Sequence, residues 1–301
     1  MKNVIVTGGA GFIGHHLVRK LKLLSYKVLI IDNLSSGFEK NIPLSDNVLF
    51  EKIDIRDDLN HIFSDFKPNI VFHLAARPSV PFSVANPILT NDININGTLN
   101  LLNVSLKNKV NRFIFSSSSS IYGGTNGDAS SESNPPNPQS PYALQKLVGE
   151  EYCKLFSKYG LDTCSLRYFN VFGKNQDPNS AYAAVMASFL KHKKESTIPT
   201  IFGDGEQRRD FCHVDNVVAA NIAAATRSAP IGGEVFNIGC GENISINNVA
   251  EYFEFKKINY SQTRAGDVKI SLADISKAQA LLGYYPQVKF SEGIKRLISN
   301  E

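Results

Sequence analysis

MKNVIVTGGAGFIGHHLVRKLKLLSYKVLIID, residues 1–32, reads as strand, glycine turn, helix, strand and acid. Val4–Val6 is a short apolar strand ending at Thr7, and Gly8, Gly11 and Gly14 follow at three-residue spacing. An amphipathic helix through Leu17, Val18, Leu21 and Leu24 leads into a second strand, Val28–Ile31, closed by Asp32. Gly8 permits a tight turn, Gly11 lets a pyrophosphate approach the backbone, and Gly14 lets helix and strand pack closely. The helix N-terminus, with Phe12 and Ile13 in its first turn, offers unpaired N–H groups and positive partial charge to phosphates. Asp32 lies at the distance from the turn where an acid binds the adenosine ribose hydroxyls. The stretch therefore predicts a dinucleotide site.

The acid selects NAD over NADP, because it repels a 2′-phosphate. Asn33 follows it, and the next cation is Lys40. The alternative is that Asp32 only caps a turn. The chain has 301 residues, 43% hydrophobic and 20% charged, which suits one large or two modest globular domains. Net charge is +4 with mixed signs and no dense basic run, which argues against nucleic-acid binding. Cys153, Cys164, Cys212 and Cys240 are scattered without CxxC spacing, so neither a disulfide framework nor a metal site is expected. No signal-peptide pattern and no membrane-length apolar run are visible, so a soluble protein of the reducing cytoplasm is expected.

Beyond Asp32 the chain alternates strand and helix. Val48–Ile53 reads as a strand ending at Asp54 and Ile55, Leu59–Phe66 as a short helix stopped by Pro68, and Ile70–Leu74 as a buried strand ending in Ala75 and Ala76. Those two small residues leave room for a flat ring. Asn91–Lys107 reads as a long helix with Ile95, Leu99 and Leu102 on one face, and Asn111–Ser116 as the next strand. This succession predicts an α/β fold, a doubly wound parallel sheet covered by helices on both faces. Ligands in such sheets bind beyond the C-terminal strand ends.

There the strand Phe113–Phe115 runs into five serines, Ser116–Ser120, and then Ile121 and Tyr122. Ser140-Pro141-Tyr142 opens a helix, with proline suited to its first turn. Tyr142 and Lys146 lie four apart and share a face. A free tyrosine has a pKa of about 10 and is a poor base at neutral pH. A nearby ammonium favours the phenolate. With a serine hydroxyl on the substrate oxygen, the group can move a proton off an alcohol while a nicotinamide takes the hydride. The same spacing recurs at Tyr252/Lys256 and Tyr285/Lys289, but only Tyr142 heads a helix after a serine-tipped strand.

At this point the sequence resembles the extended short-chain dehydrogenases/reductases, and within them the nucleotide-sugar 4-epimerases. The matching pieces span nearly the whole chain: TGGAGFIG, IIDNLSSG, DIRD, HLAA, NINGTLNLL, FSSSSSIYG, SPYALQK, RYFNVFG, GDGEQRRDFCHVDN and RAGDVKISLADISKAQALLG. The resemblance implies a catalytic set of Ser118, Tyr142 and Lys146, with Lys146 also on the nicotinamide ribose. It implies adenosine contacts from Asp32, Asn33, Asp54 and Ile55. It points to Ser79 and Asn170 on the sugar nucleotide and to Arg209, Arg264 and Asp267 on its diphosphate and ribose; an arginine fork suits a pyrophosphate. His213, beside Asp215, reads as structural. Residues 1–168 are expected to form the NAD-binding domain. Residues 169–301 are expected to form mainly the substrate domain, some segments returning to the first.

The related dehydratases carry an Asp-Glu pair after the first catalytic hydroxyl, and the decarboxylases keep an acid there. This chain has Ser119-Ser120, which favours simple C4 epimerisation. In RAGDVKISLAD, Ser271 falls where epimerases limited to plain hexoses resemble one another in carrying tyrosine. A small residue leaves room for an N-acetyl group. The motif wording is most similar to the UDP-N-acetylglucosamine 4-epimerases, so UDP-GlcNAc and UDP-GalNAc are the expected pair, with UDP-Glc/UDP-Gal or UDP-glucuronate as alternatives. A non-catalytic NAD-binding subunit is the reading from a different class. Two departures remain: Asn248–Gln262 is shorter than the family's usual helix plus strand, and Arg77-Pro78 is unusual after HLAA. The resemblance also implies a homodimer packed through Asn91–Lys107 and Tyr142–Lys158, where Ala143, Leu147 and Tyr152 form part of an apolar stripe that could equally face the chain's own sheet.

Overall fold

The computed structural model describes residues 2–125, 127–177, 185–263 and 268–299. Its centre is a parallel sheet of β1 (Asn3–Thr7), β2 (Lys27–Ile31), β3 (Val48–Glu51), β4 (Ile70–His73), β5 (Arg112–Ser118), β6 (Asp162–Tyr168) and β7 (Glu234–Ile238), in the order β7-β6-β5-β4-β1-β2-β3. The order reverses direction at β1, which makes the sheet doubly wound. Strand residues alternate between two cores. Val4, Val6, Val28, Ile30 and Ile114 face one, and Ile5, Leu29, Ile31, Phe113 and Phe115 face the other. A period of two with both faces apolar is what a sheet covered on both sides requires.

Helix α1 (Phe12–Leu23) covers the first face through Leu17, Val18 and Leu21, all fully buried. Each such side chain contributes about 1.5–3 kcal/mol. The helix stops before Leu24, which caps it and is exposed, because Ser25 turns the chain with φ 60°. The second face is covered by α2 (Asn60–Phe66), by α5 (Gly97–Lys107) and by α6 (Pro141–Lys158). Between α2 and α5 lie the short α3 (Val80–Ala85) and α4 (Pro87–Asn91).

Several boundaries differ from the sequence expectation. β3 ends at Glu51 rather than Ile53, because β2, its pairing partner, ends at Ile31 opposite Glu51. β5 runs on to Ser118 because β6 continues beside it as far as Tyr168. The long helix begins at Pro87 and is interrupted by a π-helical turn, Asp92–Asn96. That turn swings Asn94 inward, so the buried residues include Asn94, Thr98, Leu101, Leu102, Val104 and Ser105, and of the expected face Leu102 is fully buried. Ile95 and Leu99 are half-buried. On α6, Ala143 is buried in the chain's own fold, and the exposed apolar residues are Leu144 and Leu155.

After β6 come α7 (Val185–Glu195) and α8 (Val214–Thr226), and then β7 returns the chain to the sheet beside β6. A third core joins Phe172, Phe189, Phe211, Val249, Phe253, Phe290 and Ile294. It packs α9 (Ile246–Phe253) against α7 and against the C-terminal helix, Phe290–Ser299. The shortened segment keeps both its elements, α9 and a three-residue strand, Asn259–Ser261, paired with Thr200–Phe202. Tyr252 packs its ring on Phe290. Among the described residues no helix is long and apolar enough to cross a membrane.

Candidate active site

The glycine turn is demanded by its surroundings at two positions. Gly8 has φ +70°, and a Cβ there would lie 2.7 Å from the Ala75 nitrogen. A Cβ on Gly14 would lie 2.1 Å from the Gly8 carbonyl oxygen. Gly11 caps α1 with ordinary extended backbone and no side-chain capping bond, so the N–H groups of the first turn open into a cleft. Phe12, Ile13, Asp32, Asn33, Asp54, Ile55, Ala75, Ala76, Ser79, Tyr142 and Lys146 all line that cleft, whose volume is about 740 Å3. A cradle that a Cβ would fill, an uncapped helix start and an acid at the end of β2 fit a dinucleotide.

Asp32 does more than the sequence implied. One carboxylate oxygen accepts from the Ala10 N–H at 3.0 Å and the other from the Leu34 N–H at 2.9 Å. It therefore holds both turns together while lining the cleft, and burial pushes its pKa up. Asn33 donates to Asp54 at 2.7 Å, and Arg56 grips Asp54 with two nitrogens at 2.9 Å. That grip holds the Asp54 carboxyl down at about 2. Beneath the turn His73 bridges the Thr7 and Thr98 hydroxyls, each at 2.8 Å. Its burial holds it well below the usual imidazole range, so it is neutral.

The serine run separates by partner. Ser116 Oγ lies 3.0 Å from the Tyr168 hydroxyl, and Ser117 donates to Glu150 at 2.5 Å. Ser118, at the end of β5, accepts from the Ser120 N–H and hydroxyl at 3.2 and 2.9 Å and faces a second cavity of about 830 Å3. Tyr142 lines both cavities, and Ser118 lines the second of them with it. Ser140 caps α6 by accepting from the Ala143 N–H, and the Tyr142 N–H is held by Ser83 at 3.1 Å. Lys146 sits one turn on, 5.9 Å from the Tyr142 ring.

The expected phenolate-favouring ammonium is not the dominant influence in this state. Burial pushes Tyr142 up to about 12, with the Ser118 hydrogen bond opposing it. Lys146 instead donates to the Ser116 carbonyl at 2.7 Å and lies over the Phe115 ring. Its burial lowers it to about 8, against the raising influence of Cys153 and Glu150.

Behind this group lies an ion pair that the sequence reading missed. Arg167 donates to both oxygens of Glu150 at 2.9 and 2.7 Å, with side chains 4% and 0% exposed. The guanidinium also stacks 4.6 Å over Tyr122. It ties α6, the helix that carries Tyr142 and Lys146, to β6. Glu150 lies one turn beyond Lys146, a helical spacing visible in the sequence, but its partner on β6 is not.

The second cavity is lined by Ser118–Ser120, Asn170, Arg209 and Ser271, with Val80, Pro81, Val84 and Val268 as apolar wall. Asn170 donates to the Asp210 carbonyl at 2.9 Å and to Ser271 Oγ at 3.4 Å. Ser271 pairs in register with Arg209, which donates to the carbonyls of Arg208 and Lys269. Asp210, also missed, is fully buried and accepts N–H bonds from Cys240, Gly241 and Ala273 at 2.8, 3.0 and 3.1 Å. Burial outweighs those bonds and pushes it up to about 6. Arg264 and Asp267 lie outside the described residues. His213 caps α8 by accepting from the Asp215 N–H. The four cysteines are free thiols, and among the described residues no cluster of three or more His, Cys, Asp or Glu could hold a metal.

Residues 4–239 match the model of the NAD dependent epimerase/dehydratase family. A UDP-glucose 4-epimerase of Mycolicibacterium smegmatis is 36% identical over 305 residues, covering 98% of this chain and 96% of that one. A UDP-glucose 4-epimerase from Thermotoga maritima, solved with UDP-glucose, superposes with TM-score 0.93 at 41% identity, over 99% of this chain and 97% of that one. A UDP-N-acetylglucosamine 4-epimerase from Methanobrevibacter ruminantium, solved with UDP-N-acetylmuramic acid, does so with TM-score 0.93 at 42% identity, again over 99% and 97%.

Proposed function

Because the chain belongs to the NAD dependent epimerase/dehydratase family, we propose that it inverts C4 of a UDP-hexose, with UDP-GlcNAc and UDP-GalNAc as the preferred pair. The observation that carries the reading is Tyr142, which lines both the dinucleotide cleft and the second cavity, the latter together with Ser118, one turn from Lys146. Bound NAD supplies the acceptor for the C4 hydride and a positive charge in the cleft. Tyr142 takes the proton of the 4-hydroxyl as the C4 hydrogen leaves, and Ser118 holds the same oxygen. Lys146 would hold the nicotinamide ribose one turn from Tyr142, and the positive charge of a bound cofactor would favour the ionised tyrosine against its burial. The 4-keto sugar turns over in the second cavity, the hydrogen returns to the opposite face, and Tyr142 gives its proton back.

The lining of that cavity supports a neutral sugar. Arg209 is its charged side chain among the described residues, and the rest are hydroxyls, amides and apolar groups. A C6 carboxylate there would lack a cation of its own once the diphosphate takes Arg209. Ser271 supports the N-acetylated sugar, since its short side chain and Asn170 border the same space. UDP-Glc/UDP-Gal is the second reading, favoured by the same neutral lining.

The test is incubation of purified protein with UDP-GlcNAc, first without and then with added NAD, read by proton NMR. UDP-GalNAc should form, and the Tyr142→Phe variant should lose about 10²–10⁴ of the rate. Turnover of UDP-Glc but not UDP-GlcNAc would replace the preferred sugar. Turnover of UDP-glucuronate alone would overturn the neutral-sugar reading.

A further inference from the structure

Arg77-Pro78, the departure after HLAA, is held by a specific network. The Arg77 N–H donates to Asn94 Oδ1 at 2.8 Å, and Asn94 Nδ2 donates back to the Arg77 carbonyl at 3.2 Å. Asn94 comes from the π-helical turn, and its amide also donates to Gln145 at 2.8 Å, on the helix that carries Tyr142 and Lys146. Gln145 in turn donates to Thr90 at 3.0 Å. The root of the Arg77 side chain is therefore fixed relative to the reactive helix.

From that root the side chain lines the dinucleotide cleft, its guanidinium 5.7 Å from the Phe82 ring. Nε is buried and has no hydrogen-bond partner among the described residues. The guanidinium makes no ion pair or hydrogen bond among the described residues. Arg56, Arg112 and Arg167 are each paired with carboxylates. A buried N–H left unpaired is destabilising, and a ligand acceptor restores what the protein leaves unmet. The other cation of the cleft, Lys146, already donates to the Ser116 carbonyl. Arg77 does not line the second cavity, although Pro78, Val80 and Pro81 line both.

We propose that Arg77 is a further cofactor-binding residue, donating from its guanidinium to a phosphate oxygen of the dinucleotide pyrophosphate. The helix start provides backbone N–H groups but no side-chain cation in its first turn, and a stacked arginine presents fork geometry suited to a phosphate. The proposal rests on the NAD reading of the cleft.

The test is titration of the nucleotide-stripped protein with NAD, ADP-ribose and UDP, in wild type, Arg77→Gln and Arg77→Lys, each first shown to melt as the wild type does. Wild-type binding of NAD tests the cleft itself, and its absence would overturn that reading together with the role of Arg77. Given binding, Arg77→Gln should weaken NAD and ADP-ribose alike by about ten- to a hundredfold. Arg77→Lys should recover part of that, the salt dependence should flatten in Arg77→Gln, and UDP should be unaffected. Unchanged NAD affinity in Arg77→Gln would overturn the proposal. So would weakening of NAD without ADP-ribose, which would put the guanidinium on the nicotinamide. Weakening of UDP alone would put it on the sugar nucleotide.

Discussion

Five adjacent serines have different partners because they differ in direction. Ser116 and Ser117 are committed to Tyr168 and Glu150, and Ser118 is turned to the second cavity beside Tyr142. Ser271 is a small residue in the lining of the same cavity. Its hydroxyl and Asn170 border the space where a larger side chain would intrude. Ser271→Tyr should therefore suppress turnover of UDP-GlcNAc at least tenfold more than that of UDP-Glc, measured as kcat/KM on both, in line with what pocket size can discriminate. Equal loss on both sugars would reject a gatekeeping role.

The first strand, turn and helix act as one element, and their tolerance differs glycine by glycine. At Gly14 a methyl group would enter the Gly8 carbonyl at 2.1 Å, with backbone on both sides of the clash. At Gly11 it would come to 3.2 Å of the same oxygen, with φ −77°, a geometry that a small shift relieves. Gly14→Ala should lose about 1–3 kcal/mol or more in denaturant unfolding. Gly11→Ala should keep the fold and lose NAD affinity instead, because its methyl group stands over the phosphate approach. Equal destabilisation by the two would contradict this division. Helix α6 shows the same unity: its cap by Ser140, its hold on β6 through Glu150 and Arg167, and the bond that the Tyr142 N–H donates to Ser83 all fix the helix that carries Tyr142.

Across the whole molecule, two buried charges set a pH dependence. Asp210 is raised from 3.8 to about 6, so the folded state binds more protons than the unfolded one between those values, and stability falls as pH rises through them. Lys146 is lowered from 10.5 to about 8, so the unfolded state binds more protons between about 8 and 10.5, and stability rises with pH there. Both groups thus weigh against the ligand-free fold between pH 6 and 8. Thermal melts of stripped protein should rise from pH 8 to 10, relative to a Lys146→Met variant, by at most about 1.4 kcal/mol per pH unit. Parallel wild-type and variant curves would remove Lys146 as the cause.

Local spacing was enough for the doubly wound sheet and the dinucleotide turn, whereas Tyr142 shares its spacing with Tyr252 and Tyr285 and is set apart only by its place after the serine-tipped strand. Strand alternation and glycine positions are short-range patterns, and they force the local backbone whatever the rest of the chain does. Strand ends were less legible, because β3 and β5 stop where their neighbours stop. Only the folded chain settled what depends on residues far apart in sequence. Tyr122 meets Asn237 across 115 positions, Asp210 clamps Cys240, Gly241 and Ala273, and Arg167 reaches Glu150 from another element. The same holds for Arg77, which was legible as an oddity of the loop. That its guanidinium stands in the cleft without a partner among the described residues follows from the packing of Asn94 and Phe82, and no pattern of neighbours along the chain encodes that packing.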